Sequence, residues 1–352
     1  MNQAAASIAP ALLAWWDRHG RKDLPWQRDP TPYRVWVSEV MLQQTQVTTV
    51  ERYYDAFIAR FPDVRALAES PEDAVLHAWS GLGYYSRARN LQRAARMISE
   101  NHDGVMPGNI EALMALPGIG RSTAGAILAL AMRERHPILD GNVKRVLSRL
   151  FRIEGEPAGP ETLRELWAIA EACTPRDRAH HYTQAIMDLG ATLCTRRTPQ
   201  CTRCPLAELC LARAAGIAAS LPARKPKRLR PQRFAVLMLL RHGQDRVLLE
   251  KRPAQGIWGG LWGLPEAAST TEVSTWCVEN FGRAPSRVLV RPVLKHGFTH
   301  FDLDITPVEA DVDPPLRALE QDRWLWYNLR EPAEVGLAAP VTKLLRSLTH
   351  PT

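Results

Sequence analysis

Four of the six cysteines, Cys194, Cys201, Cys204 and Cys210, fall within 17 residues at the spacing Cys-x6-Cys-x2-Cys-x5-Cys. Thiols gathered so tightly in a chain of 352 residues do not form a disulfide framework; they are a metal donor set in a reducing compartment. A zinc ribbon usually has two Cys-x2-Cys knuckles, and here there is one. Iron–sulfur clusters are held by four cysteines at tight, uneven intervals, so a 4Fe–4S cluster is favoured over zinc. Arg196, Arg197 and Arg203 interleave with these ligands and would present positive charge to a phosphate backbone. Cys173 and Cys277 stand apart and are expected in cores as small hydrophobes.

Two further stretches carry chemistry. Residues 116–124 read LPGIGRSTA, a glycine-rich turn before an apolar helical run. Gly118 and Gly120 would let the backbone approach a ligand, with helix N-terminal amides pointing at an anion such as phosphate. A helix–turn–helix packing corner is the plainer alternative. Residues 138–145 read ILDGNVKR. There Asp140 is either a reacting carboxylate, with Asn142 and Lys144 beside it, or an ordinary helix N-cap.

The elements that must hold these groups differ along the chain. Up to about Leu221 the apolar residues recur at helical spacing: Trp36, Val40 and Val47, then Tyr54, Phe57 and Ile58, then Ala126, Ile127 and Leu130. Residues 222–233 are Pro-rich and hold six cations, which predicts an extended linker. Beyond it the period changes. Strands are predicted over 234–240, 246–251, 287–294, 301–305 and 323–329, with helices near 272–281 and 339–348. The expected organisation is a mainly α domain over 1–221, the linker over 222–233 and an α+β domain over 234–352, without internal repeats.

Composition agrees with this. Hydrophobic residues make up 45% and charged residues 23%, which excludes a wholly disordered chain or a fibre. The net charge of +8 is uneven: residues 1–233 hold +9 and residues 234–352 hold −1. A basic part beside a near-neutral one suggests a polyanion partner. No apolar run reaches the roughly 18 residues that span a bilayer. The early apolar stretch is interrupted by Ser7 and Pro10, with no Lys or Arg before Arg18, so a cytoplasmic protein without membrane contact is expected.

The hairpin, the following Asp and the cysteine loop together resemble the iron–sulfur helix-hairpin-helix DNA glycosylases. Residues 37–46 (VSEVMLQQTQ), 81–90 (GLGYYSRARN) and 139–145 (LDGNVKR) resemble, more closely, the adenine DNA glycosylases of the MutY family. The resemblance runs from about Trp15 to Cys210 and resumes in the C-terminal domain. It implies a helix-hairpin-helix glycosylase fold, a six-helix module plus an iron–sulfur module, with the active cleft between them. It also implies a monomer acting on duplex DNA that carries adenine opposite 8-oxoguanine or guanine.

Residue by residue, Glu39 matches the family's acid, which protonates N7 of adenine, and its neighbours Val37, Val40, Met41 and Leu42 would raise its pKa. Asp140 matches the carboxylate that stabilises the sugar cation, with Asn142 orienting it or the water. Trp26, Leu42 and Gln184 match the adenine pocket, and Gln44 and Tyr84 match the wedge that fills the gap left by the flipped base. Gly118, Gly120 and Lys144 are expected at the DNA backbone. Ser122 occupies the position where bifunctional pyrimidine glycosylases of the endonuclease III type carry a lysine. Without that amine, base excision without efficient strand cleavage is expected; Lys144 could give a weak side reaction.

The C-terminal domain resembles a Nudix fold, and residues 259–265 (GGLWGLP) echo the start of its box. The metal-binding Arg-Glu-x2-Glu-Glu core is missing, and a lone Glu279 cannot replace a carboxylate cluster for Mg²⁺. The resemblance assigns this domain instead to recognising 8-oxoguanine through Phe298, Thr299 and His300, where many relatives have Ser in the middle. Two rivals stand beside this reading: a bifunctional pyrimidine glycosylase/lyase, opposed by Ser122, and a non-catalytic iron–sulfur DNA-binding protein, opposed by Glu39 and Asp140.

Overall fold

The computed structural model describes residues 2–223, 229–313 and 323–349, with side chains from Ser7 onward. Residues 224–228 of the expected linker lie outside the described residues. Two compact units emerge from the packing: Met1–Glu69 with Asn90–Pro226, and Ser70–Arg89 with Lys227–Thr352.

The first unit is helical, as its periodicity predicts. In chain order it holds α1 (Asn2–His19), α2 (Pro32–Leu42), α3 (Val47–Arg60) and α4 (Val64–Glu69). Two helices then involve the second unit: α5 (Glu72–Ala78) lies within it, and the unit boundary falls inside α6 (Ser86–Asn101). The first unit continues with α7 (Ile110–Met114), α8 (Arg121–Met132), α9 (Gly141–Leu150), α10 (Pro160–Cys173), α11 (Ala179–Thr192) and α12 (Leu211–Ala214).

Helix α2 starts where Pro32 takes a position that needs no N–H and the Thr31 hydroxyl accepts from Arg34 N. It buries Tyr33, Val35, Trp36, Val37, Ser38, Val40 and Met41, nearly its whole circumference, so it is a central helix. It packs on α8. A second core gathers Leu12, Trp16, Val146, Leu147, Leu166, Ile186 and Leu189 from α1, α9, α10 and α11, and Cys194, Cys204 and Cys210 pack against it.

The second unit is built on a mixed sheet: β1 (Gln232–His242), β2 (Arg246–Lys251), β3 (Trp262–Gly263), β4 (Glu266–Ala267), β5 (Arg287–Val290), β6 (Leu294–Gly297), β7 (Asp302–Asp311) and β8 (Trp324–Asn328). The main path is β3-β2-β1-β7-β5, with β4 on β1, β6 on β7 and β8 on β2. Strands β1 and β7 are parallel, Gln232 opposite Asp302 through Arg241 opposite Asp311. Helix α13 (Val273–Phe281) buries Val273, Cys277 and Phe281 against Met238, Leu240, Leu248 and Val308; α14 (Ala339–Thr349) closes the order. Both unassigned cysteines, Cys173 and Cys277, are core residues as expected.

Two differences from the sequence expectation have physical causes. The strand expected over 287–294 breaks after Val290 and resumes at Leu294, since Pro292 cannot donate to a ladder. Residues 70–89, expected with the helical domain, pack with the C-terminal unit. Lys251 Nζ pairs with Asp73 at 3.1 Å, Tyr85 OH donates to Leu337 O at 2.8 Å, and Arg89 donates to Gly259 O. A Cβ at Gly336 would stand 2.6 Å from Leu76 Cβ, so the approach is close. Helical periodicity says which face of α5 is buried but not against what. Among the described residues no helix is long and apolar enough to cross a membrane.

Candidate active site

Asp140 is the N-cap of helix α9, one of the two roles its sequence context offers. Asp140 Oδ1 accepts from Val143 N at 2.7 Å and Oδ2 accepts from Asn142 Nδ2 at 3.3 Å. Behind it stands Arg145, whose Nη2 donates to Asn142 Oδ1 at 2.8 Å and to Gly190 O at 2.6 Å, while its Nε donates to Cys194 O at 2.8 Å. The carboxylate is thus braced by a continuous chain of hydrogen bonds that ends on the first cysteine of the loop. Gly190 is required for that closeness: a Cβ there would lie 2.7 Å from Asn142 Cβ. Burial raises the Asp140 pKa, opposed by the bonds from Val143 and Asn142 and by the charge of Arg145.

Glu39 projects from α2. It keeps some accessible surface, yet its carboxyl is ringed by protein, and burial together with the like charge of Asp140 pushes its pKa up to about 8. Two carboxyls that couple electrostatically, one kept protonated and the other held by donors, are a pair with separable acid and anion roles. The direction is the one expected from the sequence, and its causes are burial and the Asp140 charge.

Ser122 sits in the first turn of α8, and its Oγ accepts from Leu139 N at 3.0 Å, one residue before Asp140. The hairpin and the carboxylate loop are therefore tied directly. Gly118 needs its glycine, with φ of +81° and Asn90 Cβ 3.0 Å from where a Cβ would stand. Gly120 caps α8 without a side-chain acceptor, which leaves the first amides of that helix open to an anion. Lys144 is half-buried on α9.

Of the three residues expected at the adenine pocket, Trp26 is buried edge-on against Tyr54, Leu42 is half-buried at the end of α2, and Gln184 is 8% exposed. Asp188, one turn beyond Gln184 on α11, is fully buried. It accepts from Gln184 Nε2 at 3.0 Å, Trp16 Nε1 at 3.1 Å, Arg21 N at 2.9 Å, and Arg21 Nε and Nη2 at 2.9 and 2.6 Å. Gln27, next to Trp26, donates to Arg21 O at 3.1 Å, so the turn carrying Trp26 is fastened to the same network. Sequence reading missed Asp188, Arg145 and Gly190. The i, i+4 spacing of Gln184 and Asp188 was the available signal for the first.

The wedge candidates share a backbone property. Gln44 and Tyr84 have φ of +58° and +48°, a left-handed conformation that costs a non-glycine residue and persists where surroundings enforce it. Gln44 is exposed at the end of α2. Tyr84, in the second unit, is 48% exposed. Arg87 holds its turn by donating to Leu82 O and Gly83 O and lying over the rings of Trp79 and Tyr84. The Tyr84 hydroxyl lies 3.3 Å from Thr299 Oγ1, so these two candidates meet. Thr299 and His300 form the exposed tip between β6 and β7, closed by Phe298 N donating to Phe301 O, with the Phe298 and Phe301 rings stacked 4.4 Å apart.

The four clustered cysteines line one cavity, walled by Val146, Leu150, Leu206 and Ala218. Burial pushes the Cys204 thiol up to about 11, opposed by a backbone N–H of Leu206, and the other three thiols add to the rise. Thiolates so enclosed need a bound cation to balance their charge, and four sulfurs round one cavity fit a cluster. Among the described residues no three His, Cys, Asp or Glu are gathered for a single ion; a polynuclear cluster asks instead for thiols spaced round a cavity. Arg149, 1% exposed, donates to Cys194 Sγ at 3.3 Å, Thr195 O at 2.7 Å and Leu221 O at 2.8 Å, locking the loop. Arg196, Arg197 and Arg203 are exposed. Glu279, on α13, is also exposed.

Three family descriptions match the chain: HhH-GPD superfamily base excision DNA repair protein over residues 37–172, iron-sulfur binding domain of endonuclease III over 194–210, and NUDIX domain over 236–347. The adenine DNA glycosylase of Buchnera aphidicola from Acyrthosiphon pisum is 38% identical over 341 residues, 96% of each chain. The human adenine DNA glycosylase is 44% identical over 212 residues, 58% of this chain and 39% of that one. Among solved structures, a thermostable thymine-DNA glycosylase is similar at a TM-score of 0.56 and 26% identity, covering 61% of this chain and 98% of that chain.

Proposed function

Because the chain belongs to the adenine DNA glycosylase family, we propose that it excises adenine mispaired with 8-oxoguanine or guanine from duplex DNA, as a monomer in the cytoplasm. It is a base-excision-repair enzyme that hydrolyses N-glycosyl bonds and carries a 4Fe–4S cluster. The observation that carries the finer reading is the coupled pair of Glu39 and Asp140, one carboxyl raised to about 8 and the other held by Val143 N and Asn142.

Adenine is a poor leaving anion, so its departure needs a proton on the base and a negative charge beside the sugar. Protonated at neutral pH, Glu39 delivers that proton to N7. Asp140, aimed by Asn142 and Arg145, offers its carboxylate to the oxocarbenium. Trp26, Leu42 and Gln184 hold the flipped base, and Gln44 and Tyr84 enter the gap in the stack. Amides at the start of α8, with Lys144, bind backbone phosphate. When bound, the cluster cross-links residues 194–210 into one rigid loop, which presents Arg196, Arg197 and Arg203 to the duplex. Thr299, with Phe298 and His300, reads the opposite 8-oxoguanine.

Ser122 has no amine to form an imine, so the activity is excision without strand cleavage. The test is incubation with duplexes carrying adenine opposite 8-oxoguanine and thymine glycol opposite adenine. Alkali-dependent breaks at adenine alone support the reading; alkali-independent nicking at thymine glycol contradicts it.

A further inference from the structure

The Gln184 amide has two ends that differ only in what they can do: an oxygen that accepts and a nitrogen that donates. Its neighbour decides between them. Asp188 is fully buried, and each carboxylate oxygen accepts from firm donors: Trp16 Nε1 and Arg21 N on Oδ2, Arg21 Nε and Nη2 on Oδ1. With these donors on both oxygens, two of them the charge-assisted N–H groups of Arg21, the Asp188 side chain acts only as an acceptor. The nitrogen of Gln184 must then face Asp188, as its 3.0 Å bond to Oδ1 requires. In an amide the other end points away, and among the described residues Gln184 Oε1 accepts no hydrogen bond.

Resting on the reading of Gln184 as an adenine-pocket residue, we propose that Asp188 is a positioning residue that locks the Gln184 amide with its oxygen toward the base. The pocket thereby selects a 6-amino purine over a 6-oxo purine. An exocyclic amine donates to that oxygen. A 6-oxo group would set oxygen against oxygen, and the loss of a hydrogen bond in a buried site is a strong discriminator. The same carboxylate, through Arg21 and Gln27, fixes the turn of Trp26, so base stacking and edge recognition share one anchor.

The experiment compares single-turnover release of adenine and of hypoxanthine, each opposite 8-oxoguanine in the same duplex, by the full-length holoprotein. Wild type releases adenine faster. Asp188→Asn offers a donor as well as an acceptor, frees the amide to turn over, and lowers the adenine-to-hypoxanthine ratio by about tenfold, within the range for one misplaced buried hydrogen bond. Asp188→Glu, still acceptor-only, retains the preference. Gln184→Met lowers the ratio as far as Asp188→Asn does, and the double variant goes no further. An unchanged ratio in folded Asp188→Asn overturns the proposal while leaving the adenine activity intact; absence of adenine release by wild type overturns the functional reading itself. Should Asp188→Asn not fold, side-chain NMR of the wild-type protein titrated with free adenine reads the orientation directly. A shift of Gln184 Cδ with an undisturbed Nε2 supports the lock, and the reverse pattern overturns it.

Discussion

The Tyr84 hydroxyl stands 3.3 Å from the Thr299 hydroxyl, joining residues 215 positions apart in the chain within one packed unit. A side chain expected to probe the base stack thus touches one expected to read 8-oxoguanine. Tyr84→Phe and Thr299→Val should each reduce the preference for 8-oxoguanine over guanine by about threefold to tenfold, the worth of one hydrogen bond. The double variant should lose no more than either alone, because both remove the same contact. Competition between the two duplexes under single-turnover conditions measures it. Additive losses would mean that the two hydroxyls act separately.

Ser122 does more than lack an amine. Its Oγ accepts from Leu139 N, so Ser122→Lys and Ser122→Ala should both lower stability by about 1 kcal/mol, read as a lower midpoint in thermal unfolding. Only the lysine variant should gain borohydride-trappable adducts and alkali-independent nicking at adenine. A folded, active lysine variant without trapping would place Ser122 outside the reach of the sugar.

Gly190→Ala should drive a methyl into Asn142, which stands 2.7 Å from the added carbon, and so tilt Asp140. Excision should slow on the order of tenfold or more while mismatch binding changes little, as expected when a reacting group is displaced rather than removed. Equal losses in binding and rate would indicate a general packing defect instead.

Much of this arrangement was legible in the sequence, and the reasons are local. The Asp140 cap, apolar residues at helical spacing and the Cys-x6-Cys-x2-Cys-x5-Cys run are encoded within a few residues, so α2, α8, α9 and the cluster loop follow from short windows. Asp140 as a cap and Glu39 among apolar neighbours belong to the same class. What could not be read was long-range: residues 70–89 seated with the C-terminal unit, Asp188 gathering Trp16 and Arg21 from far along the chain, and Gly190 facing Asn142. A glycine that permits approach and a carboxylate that collects donors leave no periodic trace, since their partners are set by tertiary packing.

Folding raises the Glu39 pKa from its ordinary value of 4.5 to about 8, so the folded state holds that proton more tightly than the unfolded chain does. The cost of ionising it is absent below about 4.5, grows between the two values and is complete above about 8. Glu39→Gln carries no such cost. Its thermal midpoint relative to wild type should therefore rise between about pH 4.5 and about pH 8 and then level off. A pH-independent difference would show that the carboxyl is not held protonated by its surroundings.

If Glu39 is the proton donor in adenine release, the pH dependence of single-turnover excision opposite 8-oxoguanine must report its titration. Wild-type rates should hold through neutral pH and fall as pH passes about 8, where the group loses its proton, while Glu39→Gln binds the duplex but releases no adenine at any pH. Release by Glu39→Gln at the wild-type rate, or a wild-type rate that rises above pH 8, would contradict it.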